Sequence, residues 1–293
     1  MKGLLIRDAF PRRVDLGFIL AADPKKERDE IAHTIIYKWK SGIFTKGEAK
    51  FNAYCSCFIT IPENGNIRIS GSGIYSTETA GGVNVGNIHD DSQLEPKEPK
   101  YGDFRTVVEI GGKAYAAGHD GMVYCLDSLN KWKRIDEGLP SEFDIEGIHG
   151  FAADDIYATG FKGQLWHFNG KIWNKLELPT NTNLSRLRCM EDGNVYIGGH
   201  GGILLRGRGD QWTIIDHDQT NKDIWGLSWF NDEVYISTMS DVYRLKGQNL
   251  ESVNFGADPP RTTYQLRAAE DVLWSVGEKD IMSFDGKEWT KIV

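Results

Sequence analysis

The chain has 293 residues, 40% hydrophobic and 26% charged, with a formal net charge of −8. That balance excludes the basic footprint that sequence-independent nucleic-acid binding requires, and no apolar run approaches the roughly 18 residues of a membrane-spanning helix. The start, MKGLLIRDAFPRR, carries only a short apolar burst before Arg7 and Asp8, below the roughly 7–15 residues of an export signal. A cytoplasmic location is therefore expected, with Cys55, Cys57, Cys125 and Cys189 reduced and in no CxxC spacing.

Residues 1–50 hold strand-like runs, VDLGFILAA and HTIIYKWKSGIF, separated by the charged stretch KKERDE (25–30), which reads as a loop. Residues 51–100 are expected to form a further sheet, because GNIRISGSGIY (65–75) aligns with GNVYIGGHGGIL (193–204). The segment 86–102 is long, polar and proline-containing, and reads as an irregular surface insertion.

From residue 101 onward the chain repeats itself five times. Tyr157, Tyr196, Tyr235 and Trp274 follow one another at intervals of 39, and Tyr115 precedes Tyr157 by 42. The copies close on Trp132, Trp173, Trp212, Leu250 and Trp289, and the last four of these follow Gly170, Gly209, Gly247 and Gly286 by three residues. Each copy divides into four short runs rich in Ile, Val, Tyr and Trp, such as IEGIHGF, IYATG, QLWHF and WNKLEL, punctuated by Gly, Asn and Asp. Such runs are strands joined by hairpins, and four antiparallel strands in about 40 residues make a β-propeller blade. The expectation is one all-β propeller over residues 1–293, with divergent first blades in 1–100 and five clear repeats in 101–293. Seven blades is the count, six the fallback. The glycines of GGHGG (198–202) then serve a hairpin, because a phosphate loop would have to lead into a helix and no helical pattern follows. How the first and last blades meet is left open, since residues 2–6 could join either.

The pattern [VI]-Y-x-x-G-x-x-G-x-[IL]-x-x-x-x-G-x-x-W resembles the bacterial repeats of BNR/Asp-box and photosystem-assembly-factor propellers over roughly 104–293. Ser283-Phe284-Asp285-Gly286-Lys287-Glu288-Trp289 comes nearest to an Asp-box, one residue short between Asp and Gly. These families include sialidases, lyases, assembly chaperones and pure protein binders, so the resemblance implies a fold and leaves function to the site. Small free-standing propellers of this kind are similar to some immunity proteins that neutralise a cognate toxin. By that analogy the expected function is non-enzymatic capture of another protein, a basic toxin domain fitting the acidic chain by charge. The alternatives are a sialidase-like glycan hydrolase or lyase, and an assembly factor or scaffold.

No catalytic constellation, cofactor motif or metal-ligand spacing emerges. First strands would line the channel, where His149, Arg188 and Arg267 could converge on an anion; the alternative is that such groups pair with acids of neighbouring blades. His119 and His200 hold equivalent turns, but Phe161 occupies the turn between them, which breaks any shared zinc geometry. Asp154-Asp155, Glu191-Asp192, Asp232-Glu233 and Glu270-Asp271 recur in the first hairpin of four copies, as a binding edge or as turn formers. Trp132, Trp173, Trp212 and Trp289 recur and are assigned to packing, whereas Trp225 and Trp229 have no tryptophan at equivalent positions. The proposed contact rim for the partner comprises Phe161, Lys162, His200, Trp225 and Met239, with Glu142, Asp216 and Asp218 from the connectors.

Overall fold

The computed structural model describes residues 1–60, 65–70, 73–78, 104–128 and 131–293. The polar stretch 86–102 lies outside them. The described strands form six four-stranded antiparallel sheets, each built from four consecutive strands, and one three-stranded sheet. The six-blade fallback thus matches the four-stranded sheets. The three-stranded sheet (Cys55–Ile59, Gly65–Ser70, Gly73–Glu78) falls in the span where a further blade was expected.

The second repeat shows why these residues form a blade. Its strands are Ile145–Ala152, Asp155–Gly160, Leu165–Phe168 and Trp173–Leu176. Strand Asp155–Gly160 is buried in five of its six positions, as expected of an inner strand covered on both faces. The outer strand Trp173–Leu176 buries little beyond Trp173. The GGHGG segment is a hairpin between Val195–Gly199 and Leu204–Arg208. It contains a single 3₁₀ turn, His200–Gly202, with Gly201 and Gly202 at positive φ. No helix N-terminus is present there to hold a phosphate.

One sequence assignment is corrected. The stretch KKERDE, expected as a loop, instead begins within a one-turn helix, Pro24–Arg28, whose N-cap Asp23 accepts a hydrogen bond from the Lys25 amide at 2.8 Å. The Asp-Pro pair is a start signal, an N-cap followed by a proline at the first helical position, and the charge run obscured it.

The described residues fall into two compact units, residues 53–189 and residues 1–52 with 190–293. In the first, Trp173 is 2% exposed. Its indole donates to the Ile135 carbonyl at 2.6 Å and its amide to the Glu137 carbonyl at 2.9 Å. The repeat tryptophan therefore pins the connector that precedes its own blade. Trp132 is likewise buried in this unit. First strands of neighbouring sheets lie close together: a Cβ on Gly147 would stand 3.0 Å from the Leu187 amide nitrogen.

In the second unit the first sheet (Leu5–Arg13, Leu16–Ala22, Thr34–Lys40, Ile43–Ala49) packs on the last (Gln265–Ala269, Val272–Val276, Ile281–Phe284, Trp289–Lys291). Leu5 and Ile6 pair with Ala22 and Ala21, so the N-terminal residues belong to the first sheet and the last is complete from its own strands. The two are joined by bonds between sheets and by packing. The Ile6 amide donates to the Glu278 carbonyl at 2.7 Å, and the Val14 amide to Asp271 at 3.0 Å. Trp274, fully buried, lies against Gly17 and meets Trp39 edge-on with ring centroids 5.7 Å apart.

A Cβ at Gly17 would fall 2.1 Å from Trp274 Cη2. Gly17→Ala is expected to destabilise the protein by about 1–3 kcal/mol through overpacking. Gly47→Ala, whose Cβ would meet nothing nearer than 3.9 Å, should stay within about 0.5 kcal/mol of the parent. Urea unfolding of both variants checks this, and equal midpoints would contradict the packing account.

Candidate functional site

In the unit formed by residues 1–52 and 190–293, the hairpins joining second to third strands and the connectors entering first strands meet at the same end of the sheets. The Ile224 amide donates to the Gly199 carbonyl at 3.0 Å, and Asp223 accepts from the Gly201 amide at 2.8 Å. His217 Nε2 donates to the Gly202 carbonyl at 2.9 Å. One sheet further on, the Thr263 amide donates to the Met239 carbonyl at 3.0 Å, and Lys222 reaches Ser240 at 2.8 Å and Asp241 at 2.7 Å. These bonds order both turn tips and connectors.

On this ordered end lies a line of half-exposed rings. His200 and Trp225 have centroids 6.1 Å apart, and Trp225 and Tyr264 6.2 Å apart. Met239, 49% exposed, sits at the tip of the Thr238–Asp241 turn. Asp216 and Asp218 are exposed on the connector before Trp225, where Asp218 accepts from Gln219 at 2.7 Å. The geometry thus brings together His200 and Trp225 of the expected rim and adds Tyr264, which the sequence reading missed. The signal is present in the sequence: Tyr264 follows Trp225 by the repeat spacing of 39, but as a tyrosine it does not stand out beside the tryptophans. Trp229, in contrast, packs against the buried cluster of Met190, Leu227 and Ile236 and is structural.

The unit of residues 53–189 carries the other predicted rim residues. Phe161 is 38% exposed at its turn tip. Lys162, at positive φ, donates its amide to Asn183 at 3.0 Å. Glu142 is exposed next to Phe143, whose carbonyl accepts the Gly121 amide at 2.8 Å. His119 is bound to Asp144 at 2.7 Å. His119, Phe161, His200 and Met239 occupy one repeat position, so a soft or aromatic tip recurs in four sheets. Among the described residues no group of three or more His, Cys, Asp or Glu side chains could hold a metal ion.

Two basic residues of the first strands, Arg267 and Arg105, are engaged with acids. Arg267 donates through Nη2 at 3.1 Å and Nε at 3.3 Å to Asp8, a carboxylate with no solvent exposure that also accepts the Ala9 amide. Arg105 bonds both oxygens of Glu146 at 2.9 and 2.7 Å. His149 Nδ1 accepts the Cys189 amide at 3.3 Å, and Arg188 is half-buried on the strand Leu184–Cys189. For Arg267 and Arg105, pairing with a neighbouring acid is what the structure shows.

The hairpin acids also work inside their own sheets. Asp155 bonds His167 at 2.8 Å, and Asp192 accepts the Tyr196 hydroxyl at 2.9 Å. Glu233 takes bonds from Tyr235, Arg244 and Lys246. Burial, with the carboxylate as its neighbour, pushes the Tyr196 and Tyr235 phenols up to about 12. Glu233 feels the opposite balance: burial opposes its ionisation, but bonds from Lys246 and Arg244 hold its carboxyl below the ordinary range. These acids belong to blade construction.

No protein-family model matches the chain. It is 35% identical over 295 residues to the immune protein Tsi7 of Pseudomonas aeruginosa, spanning 96% of this chain and 94% of that one. The chain belongs to the Tsi7 family of immune proteins. Among solved structures it is similar to the WD40 β-propeller domain of Doa1, with a TM-score of 0.69 at 8% identity over 98% of this chain and 92% of that one. It is also similar to YCF48 bound to a D1 peptide, with a TM-score of 0.63 at 14% identity over 96% and 91%. Together with the sheets described above, these establish a β-propeller fold for this Tsi7 relative.

Two outcomes follow from the charge arrangement. Asp8→Ala leaves the Arg267 guanidinium without its buried partner and is expected to cost about 3 kcal/mol or more in urea unfolding; an unchanged midpoint would refute the pairing. Because the folded-state Glu233 pKa is lowered, its contribution is present above the unfolded value of about 4.3 and is lost as pH falls through the folded value. Wild type and Glu233→Gln should differ by about 1 kcal/mol at neutral pH and converge in acid. A gap independent of pH would contradict this assignment.

Proposed function

We propose that this chain is a cytoplasmic immunity protein that binds and neutralises a cognate toxin without catalysing a reaction. The observation that carries this reading is the 35% identity to immune protein Tsi7 over nearly the whole of both chains. The site that supports it best is the aromatic end of the sheets, where His200, Trp225 and Tyr264 stand in line beside Met239. Aromatic side chains held by surrounding hydrogen bonds supply large contact area at little entropic cost, and such residues dominate interface energetics. Phe161, Lys162 and Glu142 are the corresponding candidates in the unit of residues 53–189.

The proposed partner is a basic protein domain. The chain carries a net charge of −8, and Asp216 and Asp218 stand exposed beside the aromatic line. Opposite charge accelerates encounter in a salt-dependent way, while the desolvated aromatic contacts govern residence time. His149, Arg188 and Arg267 support a glycan-processing reading less well, since Asp8 already occupies the Arg267 guanidinium.

The test is co-expression: a toxin captured with the full chain should arrest growth alone and lose that effect in the presence of the wild-type chain. Trp225→Ala and Tyr264→Ala should each weaken toxin binding by about 2 kcal/mol, roughly thirtyfold, in titration calorimetry. Asp216→Asn with Asp218→Asn should slow association at low salt and leave dissociation little changed. Growth arrest that the chain cannot relieve would refute the immunity reading. Unchanged affinity in both aromatic variants would move the contact elsewhere.

A further inference from the structure

The outer strand of the first sheet, Ile43–Ala49, is built unlike the outer strands of the other four-stranded sheets. It has seven residues, where Lys131–Arg134, Trp173–Leu176, Gln211–Ile214, Asn249–Ser252 and Trp289–Lys291 have three or four. Six of its seven residues are exposed. Three of the other outer strands sink an apolar anchor, Trp132, Trp173 and Leu250 at 7%, 2% and 3% exposure, whereas here Ile43 is 70% and Phe44 38% exposed. Among the described residues the strand pairs with Thr34–Lys40 in an unbroken register on one side only. It carries no proline and no bulge. Such a long regular edge presents a row of unpaired amides and carbonyls that another strand can satisfy.

We propose that this edge joins two copies of the chain, with Ile43–Ala49 pairing antiparallel to the same strand of a second copy about a two-fold axis at Gly47. The strand's own order of residues selects that partner. Centred on Gly47, the pairing sets Lys46 against Glu48 of the second copy and Glu48 against its Lys46. Phe44 then faces Lys50, and Ile43 faces Phe51. Centring on Lys46 or on Glu48 instead sets a charge against its own copy, which is unfavourable directly across strands. Gly47 brings no side chain to the axis. Glu48 is bonded by Lys26 through Oε1, and the bridge between copies uses Oε2. Lys38 and Lys40 lie opposite Thr45 and Ile43 on the neighbouring strand, one strand removed from the seam. The contact is isologous and therefore closes at two copies.

Sedimentation equilibrium of the full chain over a concentration series is expected to show a monomer–dimer equilibrium. Lys46→Glu sets like charges opposite one another twice and should weaken the dimer about tenfold. Adding Glu48→Lys to that variant restores opposite charges and should return most of the loss. As an independent readout, Gly47→Cys places its thiol next to its own copy and should give a covalent dimer on oxidation. Thr45→Cys, which would face Ala49, should not. The thermal midpoint of each variant verifies folding. A wild-type chain that stays monomeric throughout, or a dimer indifferent to both charge variants and not trapped by Gly47→Cys, would overturn the proposal, including the case in which the edge serves a foreign strand.

Discussion

The ion pair between Asp8 and Arg267 joins two first strands separated by 259 residues, and the arrangement of the first and last sheets depends on it. A carboxylate with no solvent exposure is tolerable only when a cation and hydrogen bonds compensate its lost hydration. Here Arg267 and the Ala9 amide do so. The requirement is directional, because a one-residue slip of the first strand would turn Asp8 to the other face of its sheet. The neighbouring contact of Trp274 with Gly17 adds a steric condition to the electrostatic one. The join between the two ends of the chain is therefore made by side chains and the Ile6 and Val14 amides, with each sheet complete from its own strands.

The same economy governs the repeated sheets. A four-stranded sheet with two apolar faces is unstable alone and must bury both against neighbours. The repeat supplies a tryptophan or leucine near the start of the outer strand, a tyrosine or tryptophan on the second strand and an acid in the first hairpin. In the structure Trp173 fastens the connector before its own blade, and Asp192 and Glu233 bond the tyrosines of their own sheets. Much of the acidic charge is thus committed to holding blades together. What remains for the proposed recognition is a smaller set, such as Asp216 and Asp218, exposed on the connector before Trp225.

The proposed recognition and self-association surfaces draw on different parts of the sheets. The aromatic line stands on second-to-third-strand hairpins and on the connectors into first strands. The Ile43–Ala49 edge is the outermost strand of the first sheet, and it begins at the end of the first-to-second and third-to-fourth hairpins, where the Ser41 amide donates to the Asp15 carbonyl at 2.8 Å. Antiparallel connectivity places those two kinds of hairpin at opposite ends of a sheet. The proposed toxin contact at Trp225 and Tyr264 and the proposed pairing along Ile43–Ala49 draw on different residues of the chain.

By itself the sequence determined the blade. Intervals of 39 between Tyr157, Tyr196, Tyr235 and Trp274, and glycines three residues before the closing residues, specify four short strands because hairpin geometry and strand length are local properties. It also placed the rings at the turn tips, since equivalent positions in a repeat fall at equivalent places in each sheet. Three features needed the tertiary structure. The one-turn helix Pro24–Arg28 was hidden by its charges although Asp-Pro announced it. The partners of Arg267 and of the hairpin acids were not legible, because which charges meet depends on how sheets stack and not on spacing along the chain. The half-exposure of Trp225 beside Tyr264, against the packed state of Trp229, was decided by side-chain burial, which a single sequence leaves open when both residues are tryptophan four positions apart.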